Sequence, residues 1–144
     1  MKSIKALTLT GALMMLFLLI LIVPSKSSAR VDVNGHNFVV RVASTQAARE
    51  QGLAGWKKLD DDQGMLFVFD KSDYYVFWMK GMLIPIDIIF INDGYIVDIA
   101  ENMQPPKPGQ DPAMCQSMQP ADSVLEVKAG TVERLGWKEG MRVR

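Results

Sequence analysis

The sequence is poor in the residues that many catalytic sites use. Among 144 residues it has one cysteine, Cys115, and one histidine, His36. A single cysteine excludes an intramolecular disulfide, and no Ser-His-Asp arrangement can be identified. Cys115 has no activating neighbour in the sequence, and no glycine-rich phosphate-binding motif is present. We therefore predict neither a bound metal nor a cofactor.

Clustered positive charge is also lacking. The chain has 16 basic and 16 acidic residues, and residues 1–29 hold Lys2, Lys5 and Lys26 but no acid. The remainder therefore carries 13 − 16 = −3, with no basic cluster beyond Lys57-Lys58. A phosphate backbone requires many cations on one face. We predict that the protein does not bind nucleic acid.

Residues 1–29 have the composition of a targeting segment. A short basic stretch at 2–5 precedes an apolar run at 6–23, and small polar residues follow Pro24. This order is typical of a signal peptide, and the small residues favour cleavage after Ala29. The apolar run is also nearly long enough to span a bilayer, so it could remain as an anchor. We expect an extracytoplasmic protein, periplasmic or secreted, that contacts the membrane only through this segment, with one domain at 30–144.

Short periodic segments predict the elements of that domain. Asn34-Gly35 within residues 31–42 is typical of a β-hairpin turn. Helices are predicted at 46–51, after the capping pair Ser44-Thr45, and at 131–135, before Gly136. Strands are predicted at 65–69, 74–79, 86–91, 95–100, 123–128 and 137–143, with a turn at 70–73 and a long loop at 104–120.

The strand-like segments are short and closely spaced along the chain. Because parallel strands need long crossover connections, this spacing favours antiparallel pairing. We predict an α+β fold with a predominantly antiparallel, small barrel-like or sandwich-like sheet and two short helices.

Several motifs resemble those of the domain-of-unknown-function 192 family, a group of small uncharacterised prokaryotic proteins. They occur in order over roughly residues 31–144, and they include 49–53, 64–69, 77–80 with 84–91, and 124–127. The chain departs from the family pattern at Trp56-Lys57 and at Met141-Arg142. The resemblance implies a compact β-rich fold with short helices, often behind a signal peptide, and no known activity.

Four polar or aromatic residues are candidates for a ligand site. Lys80 and Asp87 flank an apolar turn and could face each other, either in a cleft or as a structural ion pair. Arg49 on the first helix could hold an anion or bond to carbonyls and carboxylates. Alternation along 76–80 places Trp78 and Lys80 on one side of the strand and Phe77 on the other.

Three functions are compatible with the sequence. The leading interpretation is a small binding or accessory module whose polar and aromatic site takes a small molecule, a glycan or an envelope protein. The second is a cell-envelope hydrolase or lyase with Asp87 as base and Lys80 as electrostatic stabiliser. The third is a copper-handling module using Met114, Cys115 and Met118.

Overall fold

The computed structural model describes residues 27–144, so the predictions for the N-terminal segment lie outside the described residues. No helix within residues 27–144 is both long enough and apolar enough to cross a membrane. The described chain contains two short helices, α1 (Gln46–Gln51) and α2 (Thr131–Leu135). Its strands are β1 (Ser28–Val33), β2 (His36–Ala43), β3 (Gln63–Asp73), β4 (Val76–Trp78), β5 (Ile86–Asn92), β6 (Tyr95–Met103), β7 (Met114–Gln116) and β8 (Ala121–Lys128).

Six of these strands form one sheet in the order β1-β2-β3-β8-β5-β6, and β4 pairs with β7 in a separate two-stranded ribbon. All pairs are antiparallel except β2 with β3. The predicted fold class is therefore confirmed. The first hairpin turns at Asn34-Gly35, where both residues have positive φ values, as a tight turn of this kind requires.

The parallel pairing of β2 with β3 is the one exception, among the described strands, to the antiparallel pairing that the sequence favours. Residues 44–62 connect the two strands and contain α1. Leu53 and Leu59 from this connection are buried against one face of the sheet. Burial of these apolar side chains stabilises the long connection, which the spacing of strand-like segments alone did not reveal.

Three local predictions are wrong. Residues 70–73 do not form a turn, because β3 continues to Asp73 with an irregularity in its pairing to β8. The predicted loop at 104–120 contains β7, which pairs with β4. Residues 137–143 form no strand and contribute only isolated bridges, Val33 to Val143 and Tyr95 to Arg142.

The sheet separates two apolar clusters. On one face, Phe67, Ile88 and Phe90 pack with the connection around α1 and with Phe77 of β4. On the other face, Ile89, Leu125 and Val127 pack with α2 and Trp137, together with side chains from the β1–β2 hairpin. The face that carries α1 and the β4–β7 ribbon also contains a groove lined by charged and aromatic side chains.

Candidate functional site

A groove of about 280 Å³ lies between α1 and β4 on this face of the sheet. Its walls come from α1 and the residues after it, from β3, and from the segment that contains β4. Its charged lining residues are Arg49, Glu50, Lys80 and Glu126, and its aromatic lining residues are Phe67, Phe69, Tyr75, Phe77 and Trp78. We call this feature the α1–β4 groove.

Glu126 of β8 is the buried acid of the α1–β4 groove. Only 5% of the residue is exposed, and its Oε2 atom is sealed from solvent without a hydrogen-bond partner. Burial raises the pKa of Glu126 to about 8, so the carboxyl group retains its proton at neutral pH. A buried polar atom without a partner is uncommon and costs free energy. Glu126 is therefore an uncharged acid that lines the groove and has an oxygen without a hydrogen-bond partner.

Arg49 joins three parts of the structure at the groove. Its Nη1 atom donates hydrogen bonds to the carbonyl oxygens of Ser44, at 2.7 Å, and of Val68, at 2.9 Å. Its guanidinium carbon lies 5.2 Å from the centre of the Phe69 ring. Arg49 thus bonds to carbonyls, one of the two roles expected for it, and it brings a positive charge to the groove lining.

Trp78 and Lys80 form the opposite side of the groove mouth. The Nζ atom of Lys80 lies 5.0 Å from the centre of the Trp78 ring, at cation–π distance. Both residues are exposed, whereas Phe77 points inward and packs edge-on against Phe67 at 5.0 Å and Phe90 at 5.9 Å. The alternation expected along this segment is therefore confirmed.

Asp87 lies away from the groove. It is fully buried, and its two oxygens accept hydrogen bonds from the backbone N–H groups of Asn102, at 2.8 Å, and Val132, at 2.9 Å. No ion pair within residues 27–144 joins it to Lys80. The expectation that Lys80 and Asp87 face each other is wrong, because Asp87 is held beside α2 on the other face of the sheet.

A family model described as an uncharacterized ACR, DUF192, matches residues 29–144. The chain belongs to the DUF192 family. No curated protein matches the chain.

Two solved structures share this fold. A protein of unknown function from Novosphingobium aromaticivorans is 34% identical, with a TM-score of 0.77 over 85% of this chain and 89% of that one. A proposed transcription regulator from Sinorhizobium meliloti is 36% identical, with a TM-score of 0.77 over 83% of this chain and 95% of that one. The DUF192 assignment agrees with the resemblance carried by the sequence motifs.

The sulfur atoms proposed for copper do not converge in this DUF192 chain. In β7 the Met114 side chain is exposed, while the adjacent Cys115 points toward the core. Met118 is 82% exposed beyond the end of that strand. Within residues 27–144 no group of three or more His, Cys, Asp or Glu side chains could hold a metal ion. Burial raises the pKa of the Cys115 thiol to about 11, which disfavours the thiolate that a soft metal requires.

Glu126 lines the α1–β4 groove, but it is not among the site residues predicted from the sequence. Its signal was visible: one acid stands at the centre of Val124-Leu125-Glu126-Val127, an otherwise apolar strand. A lone acid at such a position is costly unless it has a partner or a task. The sequence could not show which face of the sheet Glu126 would occupy, or that no partner would meet it there.

Proposed function

We propose that the DUF192 chain is an extracytoplasmic binding or accessory protein whose α1–β4 groove takes a small organic anion. The observation that carries this proposal is the unpartnered Oε2 atom of Glu126, which is buried among the groove lining. Native structures satisfy nearly all such atoms, and one left without a partner beside an open groove is explained by a ligand that supplies it.

The charge of the groove mouth supports an anionic ligand. Arg49 and Lys80 contribute two positive charges, and Glu50 contributes one negative charge. The Glu50 carboxylate already accepts a hydrogen bond from the Gln46 side chain at 2.8 Å. Because no ion pair within residues 27–144 involves Arg49 or Lys80, no acidic side chain there neutralises either positive charge.

The shape and lining of the groove support a small ligand. Its volume of about 280 Å³ is near the lower end of the range for small-molecule pockets, roughly 300–1,000 Å³. Tyr75 stacks on Phe69 with ring centres 3.6 Å apart, and Phe77 lies edge-on to Phe69. These packed rings form a rigid apolar wall, which loses little conformational entropy when a ligand binds.

The cellular setting rests on the N-terminal composition. Lysines at positions 2 and 5 precede the apolar run at 6–23, and small residues follow it. This order supports export or anchoring, with the domain outside the cytoplasm. Direct binding of nucleic acid receives no support from a domain with 13 basic and 16 acidic residues.

The test is a binding screen on the full chain in a nonionic detergent. We expect saturation-transfer NMR to detect small aromatic or aliphatic carboxylates, and to detect them more weakly after Lys80→Glu. The charge reversal should reduce affinity by about tenfold, or about 1.4 kcal/mol. Lys138→Glu is the matched control, because Lys138 is exposed and lies outside the groove. The proposal fails if no carboxylate binds, or if both variants weaken binding equally.

A further inference from the structure

The floor and the mouth of the α1–β4 groove differ in charge. The mouth carries Arg49 and Lys80, whereas the floor carries Glu126, which is buried and has one oxygen without a partner. A ligand that satisfies both ends must therefore be asymmetric. One end must complement positive charge, and the other must complement a buried carboxyl group.

The buried carboxyl group can meet a ligand in two states. A carboxylate would attract a cationic end, such as an ammonium group, whereas a carboxylic acid would donate a hydrogen bond to a carbonyl or similar acceptor. The surroundings favour the second state. The titratable groups that face this region are Arg49 and Glu50 from α1, Tyr75 and Lys80 beside β4, and Cys115 from β7.

None of these groups forms an ion pair that would stabilise a negatively charged Glu126 on the floor of the groove. The two cations lie at the mouth, where Lys80 is exposed and Arg49 already donates to two carbonyl oxygens. No ion pair within residues 27–144 involves Glu126. The positive charges of Arg49 and Lys80 in the groove lining would also repel a cationic ligand end. Both arguments point to an uncharged inner end.

Building on the proposed function, we propose that the groove selects ligands with an anionic group at one end and an uncharged hydrogen-bond acceptor at the other. The anion lies between Arg49 and Lys80, and the acceptor takes the hydrogen bond that the Glu126 carboxylic acid donates from the floor. The ligand class is thus an oxo acid or a similar acyl compound of modest length.

Matched probes separate the two ends of such a ligand. The first set is a series of methyl-ketone acids from 4-oxopentanoate to 7-oxooctanoate, which varies the spacing between carboxylate and carbonyl. The second set replaces the ketone by a methylene group, and the third replaces it by an ammonium group. We expect the best keto acid to bind at least tenfold more tightly than its methylene and ammonium counterparts, by calorimetry or NMR titration of the full chain.

Two substitutions at the floor give the decisive comparison. Glu126→Gln keeps an uncharged donor and should retain keto-acid affinity within about threefold. Glu126→Met removes the donor with similar volume and should lose the preference for the ketone over the methylene group. Because about a tenth of a group with a pKa near 8 remains protonated at pH 9, wild-type affinity should fall about tenfold from pH 7 to pH 9. That fall should be absent in Glu126→Gln. The difference between the two pH profiles therefore isolates the titration of Glu126 from that of every other group.

The outcomes distinguish this inference from the proposed function. If carboxylates bind but ammonium acids bind as well as keto acids, or if Glu126→Gln abolishes binding, the inference is wrong and the anion-binding groove stands. If no carboxylate of any set binds, both proposals fail. Retention of the native circular dichroism spectrum and cooperative unfolding in both variants shows that the comparison concerns the groove.

Discussion

Asp87 and Glu126 are buried acids on neighbouring strands, one position out of register, and their side chains lie on opposite faces of the sheet. Asp87 pairs with Val127 and Ile88 pairs with Glu126, so alternation along each strand directs the two acids apart. Both oxygens of Asp87 accept backbone hydrogen bonds, whereas Oε2 of Glu126 has no partner. We assign Asp87 to the framework and Glu126 to the groove.

Replacing Asp87 by asparagine should destabilise the protein. The amide group of asparagine presents two N–H donors where the carboxylate presented an oxygen, so one of the N–H groups of Asn102 and Val132 loses its acceptor. We expect the free energy of unfolding to fall by about 2–3 kcal/mol, measured by urea denaturation at pH 7. Asp111→Asn, an exposed change in the loop before β7, should have no measurable effect. Equal stability of both variants would contradict a framework role for Asp87.

The stability of the wild type should decrease as the pH rises from about 4.5 to about 8. The unfolded Glu126 carboxyl releases its proton near its ordinary pKa of 4.5, while burial holds the folded group protonated up to about 8. The unfolded state therefore binds fewer protons in this range, and the free energy of unfolding falls with pH and then levels off.

Urea denaturation at pH 5 and pH 8 measures this effect. We expect a loss on the order of 3–5 kcal/mol in the wild type, and almost none in Glu126→Gln. Asp61 and Asp73 do not interfere, because hydrogen bonds from Lys128 and Lys71 lower their pKa values further below the ordinary 3.8. A wild type as stable at pH 8 as at pH 5 would show that Glu126 is charged in the folded state.

Gly64 should tolerate no larger side chain. A Cβ atom on Gly64 would lie 2.6 Å from the backbone oxygen of Glu126, where β3 pairs with β8. We expect Gly64→Ala to reduce the free energy of unfolding by about 3 kcal/mol, because the strands must separate to relieve the clash.

Gly109→Ala is a useful control for the Gly64 variant. Gly109 has a φ of +78° but open space around it, so alanine there meets backbone strain without a clash. The cost should be about 1 kcal/mol. A Gly64 variant that unfolds no more easily than the Gly109 variant would refute the close approach of β3 and β8.

Cys115 should react slowly with alkylating reagents. Burial raises the pKa of its thiol to about 11, and the negative charges of Asp98 and of Glu126, once Glu126 has lost its proton, act in the same direction. At pH 8 iodoacetamide should modify the folded protein roughly 100-fold more slowly than the urea-unfolded protein, since the thiolate is the reactive species. Mass spectrometry at timed intervals measures both rates. Comparable rates would indicate an accessible, activated thiolate and revive the soft-metal interpretation.

Much of the local structure could be predicted from short motifs. Thr45 caps α1 by accepting from the N–H of Ala48, and Gly52 and Gly136 end the two helices, as expected. Asn34-Gly35 forms the first hairpin turn. Such features depend on φ preferences and on hydrogen bonds within a few residues, so the sequence around them is sufficient.

The pairing of distant segments was harder to predict. The irregular end of β3 and the pairing of β4 with β7 depend on tertiary packing, since neither residues 70–73 nor β7 has a strong local signal. The crossover between β2 and β3 exists because residues 44–62 cover an apolar sheet face. Local secondary-structure propensity does not indicate which segment packs on which face of a sheet.

The structure brings together three of the four candidate site residues. Arg49, Trp78 and Lys80 line one groove, although 29 positions separate Arg49 from Trp78 in the numbering. Asp87 was included because it is a charge in an apolar strand, and Glu126 meets the same criterion. The two acids differ in their hydrogen-bond partners. Those of Asp87 are backbone N–H groups that lie far from it in the sequence.

The amino-acid sequence by itself determined the family, the two helices, the hairpin turns and the presence of acids inside apolar strands. These properties follow from composition, alternation and capping, which act over a few residues. Only the tertiary structure decided which of the two buried acids has hydrogen-bond partners and which has an oxygen without one. Strand register places Asp87 on the face of α2 and Glu126 on the face of the groove. A shift of one residue along either strand would reverse a side chain from one face to the other.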